Sequence, residues 1–103
     1  MLLGVIGETM ENRIIDFLIE GRGFSYTKKD IADNCKISRP TVYKVLPKFL
    51  KGGIVKSTKK IGKITLYTLN EENEKVKVLL KLEEMLLKKS FEEVGTLSIK
   101  VKA

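Results

Sequence analysis

Two helix-start signals lie eleven residues apart and leave few ways to arrange the chain around them. Thr27 and Asp30 have the spacing of a capping box, in which each side chain accepts a hydrogen bond from the other residue's backbone N–H. Ser38 is a second capping residue, so we predict a short helix over residues 28–35 and another over residues 39–51. Only about three residues then connect the two helices, which is the connection of a helix-turn-helix.

Further elements are predicted on both sides of this pair. A helix fits residues 9–20, because Thr9 can act as its N-cap and apolar residues follow at helical spacing. A diglycine ends the later helix, and residues 54–57 and 64–69 then have the β-branched content of strands. Between these strands, residues 58–63 are rich in lysine and contain one glycine, which predicts a hairpin tip. A two-stranded ribbon in this place is the arrangement called a wing.

The last predicted helix covers residues 70–94, with Asn70 as its N-cap and acidic residues in its first turn. Apolar side chains cover well over half of its circumference, whereas covering one small domain needs a stripe of about 100°. We therefore predict that this helix pairs with the same helix of a second subunit. The predicted interface consists of Val78, Leu79, Leu82, Met85 and Leu86. Beyond it, the alternation of Leu97, Ile99 and Val101 favours either a terminal strand paired with the apolar N-terminus or a frayed tail.

Charge is distributed unevenly along the chain. The net charge of +7 comes from 20 basic and 13 acidic residues, but residues 36–63 contain nine basic residues and no Asp or Glu. The segment before them is slightly acidic, and the segment after them is neutral. Because solvated surfaces usually mix both signs, an acid-free segment of this length indicates a surface for a polyanion.

The third predicted helix, over residues 39–51, lies inside the acid-free segment and is amphipathic. At about 100° per residue, one face collects Val42, Val45, Leu46, Phe49 and Leu50. The opposite face collects Pro40, Thr41, Lys44, Pro47, Lys48 and Lys51, with Arg39 and Tyr43 at its edge. Pro47 removes one helical hydrogen bond and crowds the carbonyl of Tyr43, so we expect a kink or an early end of the helix there.

Three short motifs in these elements resemble a known family. The motifs are Ile31-Ala32, Ser38-Arg39-Pro40-Thr41-Val42 and Gly53-Ile54-Val55. They are similar to the winged helix-turn-helix regulators of the MarR and ArsR type, especially small archaeal members, over about residues 9–69. The resemblance implies an α+β, mainly helical fold with a three-helix core, a two-stranded wing and a long C-terminal dimerisation helix. It also implies sequence-specific binding of double-stranded DNA by a homodimeric transcriptional regulator.

The resemblance implies a role for each part of the acid-free segment. The helix at 39–51 is expected in the major groove, and the wing at 54–69 on the phosphate backbone or in the minor groove. Arg39 and Thr41 are the best candidates for base contacts, since arginine can bind guanine through two hydrogen bonds. The lysines suit phosphates, which position a protein without reading sequence. The expected DNA-binding residues are Thr27, Ser38, Arg39, Pro40, Thr41, Tyr43, Lys44, Lys48, Lys51, Lys56, Lys59, Lys60 and Lys63.

Other functions are disfavoured by the residues that the sequence lacks. It contains no histidine and one cysteine, Cys35, so neither a metal-sensing cluster nor a catalytic constellation is expected. We therefore predict a single domain over residues 1–103 that is no enzyme and holds no cofactor. The lone cysteine and the absence of a long apolar run favour the cytoplasm and no membrane partner.

Two alternatives to a regulator stay open. One is a winged helix that serves for contacts with other proteins, and the other is sequence-neutral binding of chromatin or RNA. These alternatives predict no affinity for DNA or no preference for a palindrome, whereas a dimeric regulator predicts two symmetry-related half-sites. The sequence does not indicate the operator or any small-molecule effector.

Overall fold

A computed structural model describes the backbone of residues 2–102 and the side chains of residues 2–89. The predicted fold class is confirmed, because five helices and one antiparallel hairpin make up the described chain. The elements are α1 (Leu2–Ile6), α2 (Met10–Glu20), α3 (Lys28–Cys35), α4 (Arg39–Lys51), β1 (Val55–Ile61), β2 (Ile64–Leu69) and α5 (Glu74–Lys102). Helix α1 is an addition to the predicted elements.

The three central helices begin where their capping residues predict. The Thr9 hydroxyl accepts a hydrogen bond from the Asn12 N–H at 3.0 Å and starts α2. Both hydrogen bonds of the predicted capping box between Thr27 and Asp30 are present at the start of α3. The Ser38 hydroxyl accepts from the backbone N–H at the third residue of α4 at 3.3 Å. Each cap satisfies a backbone donor that the first helical turn leaves without a partner.

The core lies between these helices and the base of the hairpin. The side chains that are least accessible to solvent are Leu2, Ile14, Leu18, Ile19, Ile31, Val42, Leu46, Val55 and Val76. Four of the five residues predicted for the apolar face of α4 are buried, and Leu50 is exposed instead. The prediction for Leu50 is therefore wrong, since it lies in the last turn, near the rim of the core.

Pro47 does not end α4, which continues to Lys51. Of the two expected effects of Pro47, the early end is therefore wrong, and the kink stays a prediction. Both Pro47 and Tyr43 are exposed, so water can bind the Tyr43 carbonyl, which has lost its helical N–H partner. The lost hydrogen bond lies on the solvent side of α4, and the helix continues through Pro47.

The hairpin is longer and its turn shorter than predicted. Strand β1 continues through Lys59 and Lys60 to Ile61, so the turn consists of Gly62 and Lys63 alone. Gly62 has a φ of 61°, which suits the first central position of a two-residue hairpin turn. At the base, the backbones of Tyr26 and Tyr67 exchange two hydrogen bonds of 2.7 Å each. These bonds fasten the wing to the loop between α2 and α3.

Helix α5 begins one turn later than predicted because another asparagine caps it. The Asn73 side-chain oxygen accepts the backbone N–H of Lys75 at 2.8 Å, whereas the Asn70 amide donates to the Gly53 carbonyl at 2.9 Å. Asn70 therefore joins the end of α4 to the start of α5 instead of capping the helix. No helix among residues 2–102 has both the length and the apolar character needed to cross a membrane.

The predicted C-terminal strand is wrong, because the backbone of residues 97–101 is helical and belongs to α5. The N-terminal residues 2–6, its predicted pairing partner, also form a helix. A lone strand would leave its backbone groups without partners, whereas a helix satisfies them within the segment.

Candidate nucleic-acid interface

The outward face of α4 is open along its whole length. Seven side chains on this face are exposed to solvent: Arg39, Pro40, Tyr43, Lys44, Pro47, Lys48 and Lys51. The inward face of the same helix is buried, so the amphipathic pattern places the cationic side chains outside. Among the other expected DNA-binding residues, Ser38 and the four lysines of the wing are exposed, while Thr27 and Thr41 are half-buried.

The basic residues of the acid-free segment form no ion pair with the side chains that the structure describes. Among the side chains of residues 2–89, the one ion pair joins Arg13 and Glu8 at 3.9 Å, and neither belongs to this segment. Lys36 is separated from the others, because it follows the C-terminal end of α3 and lines a different groove, together with Asp16 and Glu20. The remaining eight basic side chains keep their charge available for an external partner.

A cleft separates α4 from the wing, and we call it the wing cleft. Its volume is about 430 Å³. It is lined by Thr27, Lys28, Lys29, Tyr43, Lys63, Ile64, Thr65 and Tyr67. The lining contains three lysines, four hydroxyl groups and no carboxylate, so the cleft suits an anionic partner. It brings three residues expected from the sequence, Thr27, Tyr43 and Lys63, to one place.

Lys28 is a central residue of this cleft that the sequence analysis missed. Its ammonium lies 4.7 Å from the ring centre of Tyr43 and 5.9 Å from that of Tyr67. These distances are within the range of cation–π contacts. One signal points to Lys28 and Lys29 in the sequence: they occupy the first turn of α3, where the helix dipole disfavours cations. Their placement there is explained when an anion binds nearby.

A second groove flanks α4 on the side of α2. It has a volume of about 370 Å³ and is lined by Thr9, Met10, Glu11, Thr41, Lys44, Val45 and Lys48. Lys44 and Lys48 therefore share a groove with the N-terminal turn of α2, where backbone N–H groups also favour anions. Four further lysines are exposed but line neither this groove nor the wing cleft: Lys51, Lys56, Lys59 and Lys60.

The first turn of α4 distinguishes the two residues expected to contact bases. The hydroxyls of Ser38 and Thr41 lie 2.8 Å apart and form a hydrogen bond, so part of the hydrogen-bonding capacity of Thr41 is already used. Arg39 is exposed beside them. Arg39 is therefore more accessible to an external partner than Thr41, which is half-buried.

Cys35 is a buried core residue. Its sulfur lies 3.6 Å from the Arg13 carbonyl, and burial raises the pKa of the thiol to about 11. A thiol with this pKa stays protonated near neutral pH and is a poor nucleophile and a poor metal ligand. Within residues 2–89, no three Cys, Asp or Glu side chains form a group that can hold a metal ion.

Solved structures with the same architecture support this description. The zinc-responsive MarR family member ZitR of Lactococcus lactis is similar over 89% of this chain and 61% of its own, with 23% identity and a TM-score of 0.58. The fold is a winged helix-turn-helix. The adhesin competence repressor AdcR of Streptococcus pyogenes has a similar fold over 96% of this chain and 73% of its own, with 20% identity and a TM-score of 0.61.

One of the similar winged helices was solved with nucleic acid. ZitR in complex with DNA matches 82% of this chain and 59% of its own, with 22% identity and a TM-score of 0.57. This chain thus spans about three fifths of the ZitR length. At this identity the likeness establishes the fold alone. No family model matches the sequence, and the search of curated proteins gave no match.

The winged helix places the five predicted dimer residues in two groups. Leu79, Leu82 and Leu86 are partly buried and pack against the core of their own chain. Val78 and Met85 are 68% and 60% exposed. Part of the apolar surface of α5 therefore covers its own domain, and Val78 and Met85 remain open to a partner.

Proposed function

We propose that this winged helix binds double-stranded DNA as a homodimer and regulates transcription by recognising a specific sequence. In this proposal α4 enters the major groove, and the wing lies on the phosphate backbone or in the minor groove. The observation that carries the proposal is the exposed outward face of α4, whose cationic residues have no carboxylate partner within the described part of the chain. A surface of this kind attracts phosphates and releases their counterions.

The similar structures add support from outside the chain. AdcR is a repressor by name, ZitR is a member of the MarR family, and one ZitR structure contains DNA. A shared fold does not by itself carry function over. The fold and the unpaired charge together make a DNA-binding regulator the best-supported function, and this function requires no catalytic group.

The exposed side chains divide into two kinds of contact. We assign base recognition to Arg39, because it is exposed at the N-terminal end of α4, the part of a recognition helix that reaches base edges. Phosphate contacts are assigned to Lys48, Lys51, Lys56, Lys59, Lys60 and Lys63. Lys44 lies in the groove beside α2, where the lysine and the helix N-terminus can contact the same phosphate.

We assign the dimer contact to the exposed stripe of α5. Val78 and Met85 are seven residues apart, about two helical turns, and therefore share one exposed face of the helix. A symmetric pairing of this face would cover both side chains. The two recognition helices of the dimer would then read two half-sites that are related by the dimer axis.

Selection from random double-stranded DNA tests the proposed function. The protein is immobilised, bound fragments are recovered over several rounds, and the enriched sequences are read. We expect an inverted repeat whose half-sites are separated by about one or two helical turns. Binding without enrichment would indicate a sequence-neutral protein, and absence of binding would leave a protein-contact module; either result contradicts the proposal.

A further inference from the structure

The tip of the wing carries an exposed pair of apolar side chains. Ile61 and Ile64 lie directly opposite each other on either side of the turn. They are 57% and 56% exposed. Single hydrophobic residues on a surface are common. Two hydrophobic side chains at the outermost residue pair of a hairpin, however, form one continuous apolar patch that faces solvent. Such a pair is a candidate contact surface.

The surroundings of this pair identify the chemistry of its partner. The nearby charged side chains of the wing are Lys59, Lys60 and Lys63, and neither strand contains an acidic residue. A second copy of the chain would place these lysines against each other, which is unfavourable. A polyanion with apolar surface between its charged rims matches the pattern, and the minor groove of DNA has phosphates on both rims and stacked bases between them.

The tip also lies on the side of the molecule that carries the recognition helix. Lys63 and Ile64 both line the wing cleft, and Tyr43 of α4 lines the same cleft. When α4 occupies the major groove, the tip is on the DNA side of the protein. The two-residue turn leaves Ile61 and Ile64 at the very end of the ribbon, so these side chains reach a groove before the rest of the wing does.

We propose that Ile61 and Ile64 form an apolar wedge that enters the minor groove and partly unstacks one base step. This inference rests on the proposed function, because it needs DNA bound along α4. The lysines at the tip hold the phosphates of the two rims, while the isoleucines contact the exposed faces of the separated bases. The wedge therefore favours easily unstacked pyrimidine–purine steps at the wing position, without a hydrogen bond to any base.

The test compares the protein with a variant that carries both Ile61→Thr and Ile64→Thr. Threonine keeps the β-branched shape and the strand propensity but carries a hydroxyl in place of the ethyl group of isoleucine. A variant with Ile61→Val and Ile64→Val keeps the apolar pair. Val5→Thr is the matched control, since Val5 is 58% exposed and lies in α1, away from the wing.

The readout is the fluorescence of 2-aminopurine, placed in turn at each step that the wing can reach in the selected DNA. We expect a rise at one step with the wild type, the valine variant and the Val5 control. The threonine variant is expected to bind about tenfold more weakly, without the rise, because burial of two isoleucines outweighs the cost of unstacking. Its salt dependence should be unchanged, since every lysine is retained.

The outcomes separate this inference from the proposed function. Salt-dependent binding without a fluorescence rise in the wild type, or with an equal rise in the threonine variant, overturns the wedge and leaves DNA binding intact. A threonine variant that becomes monomeric in light scattering also overturns it, because the pair would then contact a second copy. Failure of the wild type to bind any duplex overturns the proposed function itself.

Discussion

Helices α4 and α5 are both amphipathic, yet their outward faces offer different chemistry. Both bury apolar side chains in the same core, α4 through Val42 and Leu46 and α5 through Val76. Outward, α4 presents arginine, lysine and tyrosine without a carboxylate, whereas α5 presents Val78 and Met85 among charges of both signs. The inward faces build the fold, and the outward faces determine which partner each helix can bind. We propose DNA as the partner of α4 and a second subunit as the partner of α5.

The largest expected effect comes from breaking the contact assigned to α5. Val78→Glu together with Met85→Glu should give a monomer, because two carboxylates cannot be buried without partners in a symmetric interface. Affinity for DNA with two half-sites should fall by about 100-fold or more, since the second half-site no longer binds within the same complex. Light scattering and a binding titration measure the two effects.

A matched control for this variant changes the charge at two exposed lysines of α5. Lys77→Gln with Lys88→Gln lowers the net charge by the same amount and leaves the apolar stripe intact. This control should stay dimeric. If the variant at Val78 and Met85 also keeps the mass of a dimer, the interface lies elsewhere and α5 is not the helix that binds a partner.

The next largest effect is expected at the cationic surface of α4 and the wing, where it distinguishes base contacts from phosphate contacts. Arg39→Ala should cost about 1–3 kcal/mol on the preferred sequence and relax the choice of one base pair. Lys60→Ala should weaken all sequences to a similar extent, because a phosphate contact carries no base information. Affinities for the selected sequence and for scrambled DNA measure the difference. Equal loss of specificity in both variants would show that the contacts are assigned wrongly.

The smallest expected effect concerns the inward faces, where α5 differs from α4 in carrying a buried carboxylate. Glu83 is almost fully buried, and one of its oxygens has no hydrogen-bond partner among the described residues. Burial, together with the carboxylates of Asp16 and Glu83, raises the pKa of Glu20. Glu83→Gln removes one charge from this group and should raise the free energy of unfolding at pH 7 by about 1 kcal/mol.

The pH dependence of stability tests the same acidic group. A carboxyl with a raised pKa in the folded state binds its proton more readily there than in the unfolded chain. Stability should therefore rise as the pH is lowered from neutral through the raised pKa of Glu20, towards its ordinary value of 4.5. In Glu83→Gln this rise should be smaller. Denaturant titrations at each pH measure the free energy of unfolding of the wild type and of the Glu83→Gln variant. An equal change with pH in both proteins would contradict this explanation.

The parts of the fold that local contacts determine are predictable from the sequence. Thr9, Thr27 and Ser38 each cap a helix through a residue three positions later, so the starts of α2, α3 and α4 can be read directly. The predicted cap of α5 is wrong because a distant residue decides it. Asn70 resembles a cap, but its amide is bound by the Gly53 carbonyl, 17 positions earlier, and Asn73 caps α5 instead.

The candidate site is predictable to a similar extent and for a similar reason. The periodicity of α4 predicts which of its side chains face outward, because that depends on the helix alone. The wing cleft depends on three elements that meet in space, so the contacts of Lys28 with Tyr43 and Tyr67 cannot be read from the local sequence, which shows only that Lys28 lies in the first turn of α3. A count of charge along the chain places Lys28 in the slightly acidic N-terminal part and does not indicate that it lines the wing cleft.

Salt dependence of DNA binding tests the central claim most directly, namely that the unpaired cations of α4 and the wing bind phosphates. The affinity of the wild type for duplex DNA is measured between about 50 and 200 mM salt. We predict a fall of roughly 10³-fold or more, the range expected for six to ten phosphate contacts, and a slope that decreases by about one with Lys60→Ala. An affinity that stays flat over this range would contradict the account.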